Sequence, residues 1–183
     1  MRVPALEKNV LKYRALQMVM VIFHAESLKR YVIESIRSTD RILPSEDGAE
    51  RLPDGVTKLV KKAFAVLLEE GILTLDESRQ VQKLVDYRND IAHRVHELTG
   101  DVVLPNRTTW LMSGLESKCQ YEALDRLKRF RRKIEDGLRS SFAQSLSLDS
   151  VHFEVAEATY LEELSRLEKR IDRQMSARME AGG

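Results

Sequence analysis

Apolar residues recur along this chain every three or four positions, in runs separated by short turn-forming segments. From Pro4, which suits the first turn of a helix, to about Thr39 there is no breaker. Leu6, Val10, Leu16, Val19, Phe23, Leu28, Tyr31 and Ile36 keep helical spacing over that stretch. Leu43-Pro-Ser-Glu-Asp-Gly48 through Pro53-Asp-Gly55 is turn chemistry. A second helix is predicted from about Val56 to Glu70, burying Leu59, Val60, Ala63, Phe64 and Leu67, with Gly71 placed for a left-handed cap. The third opens on Thr74-Leu-Asp-Glu77, a capping box in which hydroxyl and carboxylate each satisfy a free backbone donor. It continues to about Leu98, with Gly100 as its stop. After a loop containing Pro105, a fourth helix is predicted from about Gly114 to Phe142, then a loop over Ser145 to His152 and a last helix from about Val155 to Met179.

That last helix carries a heptad-like seam of Phe153, Tyr160, Leu164, Leu167 and Ile171, which Gln174 and Arg178 continue. Polar residues in so short a seam fit a packing helix or a short dimer contact better than a long coiled coil. No run alternates as a strand would, and Asp101-Val-Val-Leu104 is too short for one. The expected fold is therefore all-α: a four- to five-helix bundle over residues 1–143, then a loop and C-terminal helix over 144–183 that packs on the bundle or on a second subunit.

Composition narrows the setting. Of 183 residues, 43% are hydrophobic, which suits a globular core and not disorder. The longest apolar stretch, Met18 to Phe23, falls far short of the roughly 20 residues of a membrane span, and no basic start is followed by an apolar run and a cleavage site. The single cysteine, Cys119, excludes an intramolecular disulfide framework. These features read as a cytoplasmic protein without membrane attachment. Thirty basic residues against 29 acidic ones give a net charge of +1, so nucleic-acid binding would need a local patch. Arg126-Leu-Lys-Arg-Phe-Arg-Arg-Lys133 is the one dense patch. Leu124, Leu127, Ile134 and Leu138 turn one face of that helix inward and leave Arg129, Arg132 and Lys133 largely outside. Two readings stand: a solvated face balanced by Asp125, Glu135 and Asp136, or a phosphate-contacting strip in which Phe130 stacks a base.

The third helix holds the chain's most chemical segment. Val81, Leu84, Ile91, Val95 and Leu98 make one apolar stripe, and Arg88 completes it between Leu84 and Ile91. A guanidinium there must be paired or open to a wet cleft. The bland reading is an arginine that buries its stem and pairs with a carboxylate on another helix. Asn89 and His93 lie four apart on one face, and His96 is one turn further, whereas Arg88 and His93, five apart, sit about 140° apart on a straight helix. Convergence of the two on one atom needs a helix that ends or bends near Ala92, or a second copy of the chain. It would reward the cost: a neutral histidine can take a proton from a ribose hydroxyl while an arginine holds the phosphate as charge builds.

Other chemistries are weaker. His93, His96 and Glu97 spell H-x-x-H-E, not the H-E-x-x-H of zinc proteases, and further ligands are wanting, so no metal and no cofactor are expected. His24 reads as a satisfied core histidine and Cys119 as a half-buried helix residue. No nucleophile elbow, phosphate-cradling glycine loop or C-x-x-C occurs.

Arg88-Asn-Asp-Ile-Ala-His93 resembles the Arg-x(4–6)-His motif of HEPN domains, in which Asn, Asp or His typically follows the arginine. The wider run is similar too: Leu67-Leu-Glu-Glu-Gly-Ile-Leu73, then a capped helix into Leu84-Val-Asp-Tyr-Arg-Asn-Asp-Ile-Ala-His-Arg94. The resemblance covers roughly residues 5–142 and is strongest over 59–98. It implies a HEPN-like bundle, a homodimer with the motifs near the two-fold axis, and a metal-independent endoribonuclease or RNA-targeting effector of a bacterial defence or toxin system. Arg88 and His93 would then be catalytic, Asn89 would position them, and Asp90 and His96 would be accessory. RNA and a protein partner such as an antitoxin are the implied ligands. Val95 stands where one toxin subgroup has a tyrosine two residues after the histidine, so regulation through that tyrosine does not carry over. Some relatives keep the helices without known cleavage, and the alternative function is a non-catalytic helical module that binds or regulates a protein partner.

Overall fold

The computed structural model describes residues 4–43, 49–103, 119–143 and 148–182, and their side chains except those of 94–103, 141, 148–155 and 182. Among the described residues five α-helices follow one another: α1 (Ala5–Ile42), α2 (Leu59–Glu69), α3 (Leu75–Val103), α4 (Ala123–Ser141) and α5 (Leu148–Gly182). Among the described residues there is no strand. The fold is an all-α bundle. No described helix is long and apolar enough to cross a membrane.

The 38-residue α1 is the axis of the bundle and touches each of the other four helices. Arg14 meets Tyr121 near one end and the Thr39 hydroxyl accepts from the Ala143 amide near the other, so α1 and α4 run parallel. Tyr87 meets Gln120 and Glu77 meets Lys133, so α3 runs antiparallel to both. The core forms where their apolar faces meet: Val21, Leu28, Val32 and Ile36 of α1, Phe64 and Leu67 of α2, Val81 and Leu84 of α3, and Leu127, Ile134 and Leu138 of α4 are all buried. Burial of such side chains contributes on the order of 1.5–3 kcal/mol each before chain entropy is subtracted.

Local chemistry sets the joints. Gly71 adopts φ +70°, and the amides of Gly71 and Ile72 donate to the Leu68 and Leu67 carbonyls, so the end of α2 closes as a Schellman motif. Two residues on, the Thr74 amide donates to Glu77 Oε2 and the Glu77 amide to Thr74 Oγ1, completing the expected capping box. Lys133 of α4 adds an ion pair to Glu77 at 2.6 Å, and these bonds hold its carboxyl down at about 2. A β-carbon on Gly137 would lie 2.5 Å from Ile72 Cγ2, so α4 passes closer to this joint than any other residue allows.

Several boundaries differ from the periodicity. Lys58 holds φ +59°, a left-handed conformation a right-handed helix cannot contain, so α2 starts at Leu59 and not at Val56. Gly100 lies inside α3, where it costs only about 1 kcal/mol relative to alanine. Cys119 to Glu122 form a turn, so α4 begins nine residues later than expected, while Gly114 and Pro105 lie outside the described residues. Residues 148–152, expected as loop, are the first turn of α5.

α5 packs antiparallel on α1 of its own chain. Leu164 and Leu167 are buried, and Ile171 and Met175 cover Leu6 and Val10. Where the seam turns polar it is matched: Asn9 donates to Gln174, and Arg178 forks onto Glu7 at 3.0 Å. Phe153 and His152 have side chains outside the described residues.

Candidate functional site

The buried line of α3 is Val81, Leu84, Tyr87 and Ile91. Tyr87, and not Arg88, fills the gap that the stripe left between Leu84 and Ile91. Its ring enters the core and its hydroxyl accepts the Gln120 amide at 2.9 Å, a partner no spacing along α3 reveals. Arg88 is thereby turned to the rim, with a quarter of its side chain exposed. Its Nε lies 2.5 Å from Glu26 Oε1 of α1, a charge contact and not an aligned hydrogen bond. Its Nη1 donates to Asn89 Oδ1 at 3.0 Å. Glu26 is shared, for Lys29 Nζ also reaches it at 2.7 Å. A carboxylate on another helix therefore does pair with Arg88, at the protein surface.

Asn89, Asp90, Ala92 and His93 are exposed. α3 continues unbroken past Ala92 to Val103, so the rotation of about 140° between Arg88 and His93 stands. One chain therefore sets the two on different sides of α3 and does not aim them at a common atom. The side chain of His96 lies outside the described residues.

The basic run of α4 is mostly engaged elsewhere. Lys128 reaches Glu157 of α5 at 2.7 Å, Arg131 binds Glu135 and leans on Ser27, and Lys133 is held by Glu77. Arg126 donates to Gln80, two turns before Arg88 on α3. Arg129 and Arg132 are exposed, and Phe130 is half-buried against the core. Glu26 and Ser27, about 100° apart on α1, take Arg88 and Arg131 respectively, so the two basic groups lie on different sides of that helix.

Two buried polar positions complete the inventory. Arg14, only 1% exposed, is the most deeply buried charged side chain among the described residues; its Nε donates to the Tyr121 hydroxyl and its guanidinium lies 5.4 Å from that ring's centre. Spacing held a signal for it, because Val10, Arg14, Gln17 and Val21 share one face and all are buried. Val19, one of the apolar residues at helical spacing, is 46% exposed. His24 is 3% exposed, 3.2 Å from Glu157; burial, helped by Lys128 and Arg131, keeps its pKa below the usual value. Among the described residues no group of three His, Cys, Asp or Glu side chains is arranged to hold a metal ion.

Comparison of the chain with protein-family models, with curated proteins and with solved structures finds no match in any of the three. Function must therefore be argued from these residues.

Proposed function

We propose that the protein is a metal-independent endoribonuclease or RNA-targeting effector whose reactive site is completed by a second copy of the chain. The observation that carries this is the exposed stretch of α3 in which Asn89 and Glu26 hold Arg88 at the rim and His93 is exposed about 140° round the helix, so that one copy alone leaves the pair apart. Brought against its two-fold mate, such an edge sets the arginine of one copy opposite the histidine of the other. The chemistry is transesterification. The 2′-oxygen of a ribose forms a bond to the adjacent phosphorus and the bond to the leaving 5′-oxygen breaks. His93 takes the 2′-hydroxyl proton or supplies one to the leaving oxygen, and Arg88 holds the phosphorane-like charge. Homodimerisation, RNA as substrate and a place in bacterial defence, with an antitoxin or other protein partner, belong to this proposal.

The Arg88–Glu26 pair also favours a second reading, a non-catalytic helical module in which Arg88 ties α3 to α1 and the exposed edge binds a protein partner. The readings part on single variants. As a ribonuclease, Arg88→Ala and His93→Ala lose RNA cleavage in the presence of chelator-resistant parent activity, while circular dichroism melts stay near the parent's. Arg88→Lys is also poor, because an ammonium lacks the planar two-donor fork. An Arg88→Ala that unfolds, beside a His93→Ala with unchanged activity, establishes the second reading.

A further inference from the structure

Along α1, from Glu26 to Arg41, an open groove of about 740 Å³ runs between that helix and Val60 of α2. Four cations line it, Lys29, Arg30, Arg37 and Arg41, against two carboxylates, Glu26 and Glu34. Ile33 and Val60 make its apolar floor. The cations follow helical spacing, so they form one row about 18 Å long, enough to track several phosphates of an extended strand. In a molecule with a net charge of +1 this is a local departure from neutrality. Two of these cations hold carboxylates at the surface, Lys29 on Glu26 and Arg37 on Asp54, itself 98% exposed, in pairs worth little against a phosphate. The groove also begins at Glu26, the residue Arg88 touches.

We propose that this α1–α2 groove binds the phosphodiester backbone of single-stranded RNA and leads it to the Arg88 edge. The inference rests on the RNA reading above and moves the binding surface from the basic run of α4 to α1. Backbone contacts from arginines and lysines hold a strand in register without reading its sequence, and an apolar floor lets bases lie against the protein.

The test is fluorescence anisotropy of a labelled oligouridine titrated with the full chain at several salt concentrations. The groove variant is Arg37→Glu/Arg41→Glu, with Arg37→Gln/Arg41→Gln as a milder partner and melting curves to show that both fold. Lys169→Glu/Arg170→Glu on the exposed face of α5 makes the same change in net charge elsewhere. The expected result is at least tenfold weaker binding for the groove reversal, a smaller loss for the glutamines, and a drop in the salt slope of about one per lost phosphate contact. The α5 control stays within about twofold. Unchanged affinity and slope in both groove variants overturn the groove while leaving an RNA-cleaving edge intact. Equal weakening by groove and control variants reduces the effect to net charge and also overturns it. No RNA binding by the parent even at low salt overturns groove and RNA reading together. Binding to phosphatidylglycerol vesicles, but not to RNA, through the same arginines replaces RNA with a membrane surface.

Discussion

At the scale of single residues, two arginines placed in apolar company have opposite fates. Arg14 is inside the fold and hydrogen-bonded to Tyr121, whereas Arg88 lies at the rim and shares Glu26 with Lys29. Arg14→Ala removes packing and a buried bond together, and should cost on the order of 3 kcal/mol. Arg88→Ala leaves Glu26 with Lys29 and water, and should cost less than about 1 kcal/mol. In thermal melts that is a fall of roughly 6–12 °C against one of at most about 4 °C. A melt in which Arg88→Ala is the more damaging would show that the α1–α3 tie is structural. His24 adds a pH dependence with a definite sign. Its folded-state pKa lies below 6.5, so its contribution is complete above that value and is lost as pH falls through the folded value. The parent's melting temperature should therefore drop between about pH 7.5 and about pH 5, and His24→Leu should drop less over the same range. Equal drops would assign the pH dependence to other groups.

At the scale of elements, the joint between α2 and α3 shows how much local chemistry can specify. The left-handed cap at Gly71 and the box at Thr74 were both legible from residue order, because each needs only neighbours within five positions. The glycine of α4 is different. Gly137 sits mid-helix, where alanine would ordinarily add about 1 kcal/mol of stability. Here its β-carbon would strike Ile72, and overpacking costs typically 1–3 kcal/mol. Gly137→Ala should thus be net destabilising, and Ile72→Ala in the same chain should recover part of the loss. Chemical denaturation of the two singles and the double measures this; additive losses would remove the contact from the account. α5 makes the same point at longer range: Gln174 and Arg178 looked like flaws in a seam until Asn9 and Glu7 faced them.

For the whole molecule, the central matter is whether Arg88 and His93 act across two copies. A mixing experiment decides it. Neither Arg88→Ala nor His93→Ala alone has an intact composite site, but in a mixed dimer one of the two sites pairs the surviving arginine with the surviving histidine. Unfolding and refolding the two inactive variants together should restore up to about a quarter of parent RNA cleavage, since half the dimers are mixed and each has one good site. Light scattering should show the dimer at the same concentrations. No recovery from a mixture shown to contain mixed dimers would rule out a site built from both copies.

The sequence by itself determined the helical class, the capping of α2 and α3, and a short list of polar residues on α3, because helix periodicity and caps are local in range. It did not determine which neighbour at the end of the α3 stripe enters the core. Tyr87 and Arg88 are adjacent, about 100° apart, and either fits the spacing. The choice was made across the bundle: the Gln120 amide bonds the tyrosine hydroxyl inside, and Glu26 holds the arginine at the edge. In the same way, the basic run of α4 stood out by density, yet carboxylates of α3, α4 and α5 occupy three of its charges, while the sparser cations of α1, two of them paired with Glu26 and Asp54, line one open groove. Density along a chain is a property of sequence; a charge's partners come from helices far away in it, and only their packing assigns them.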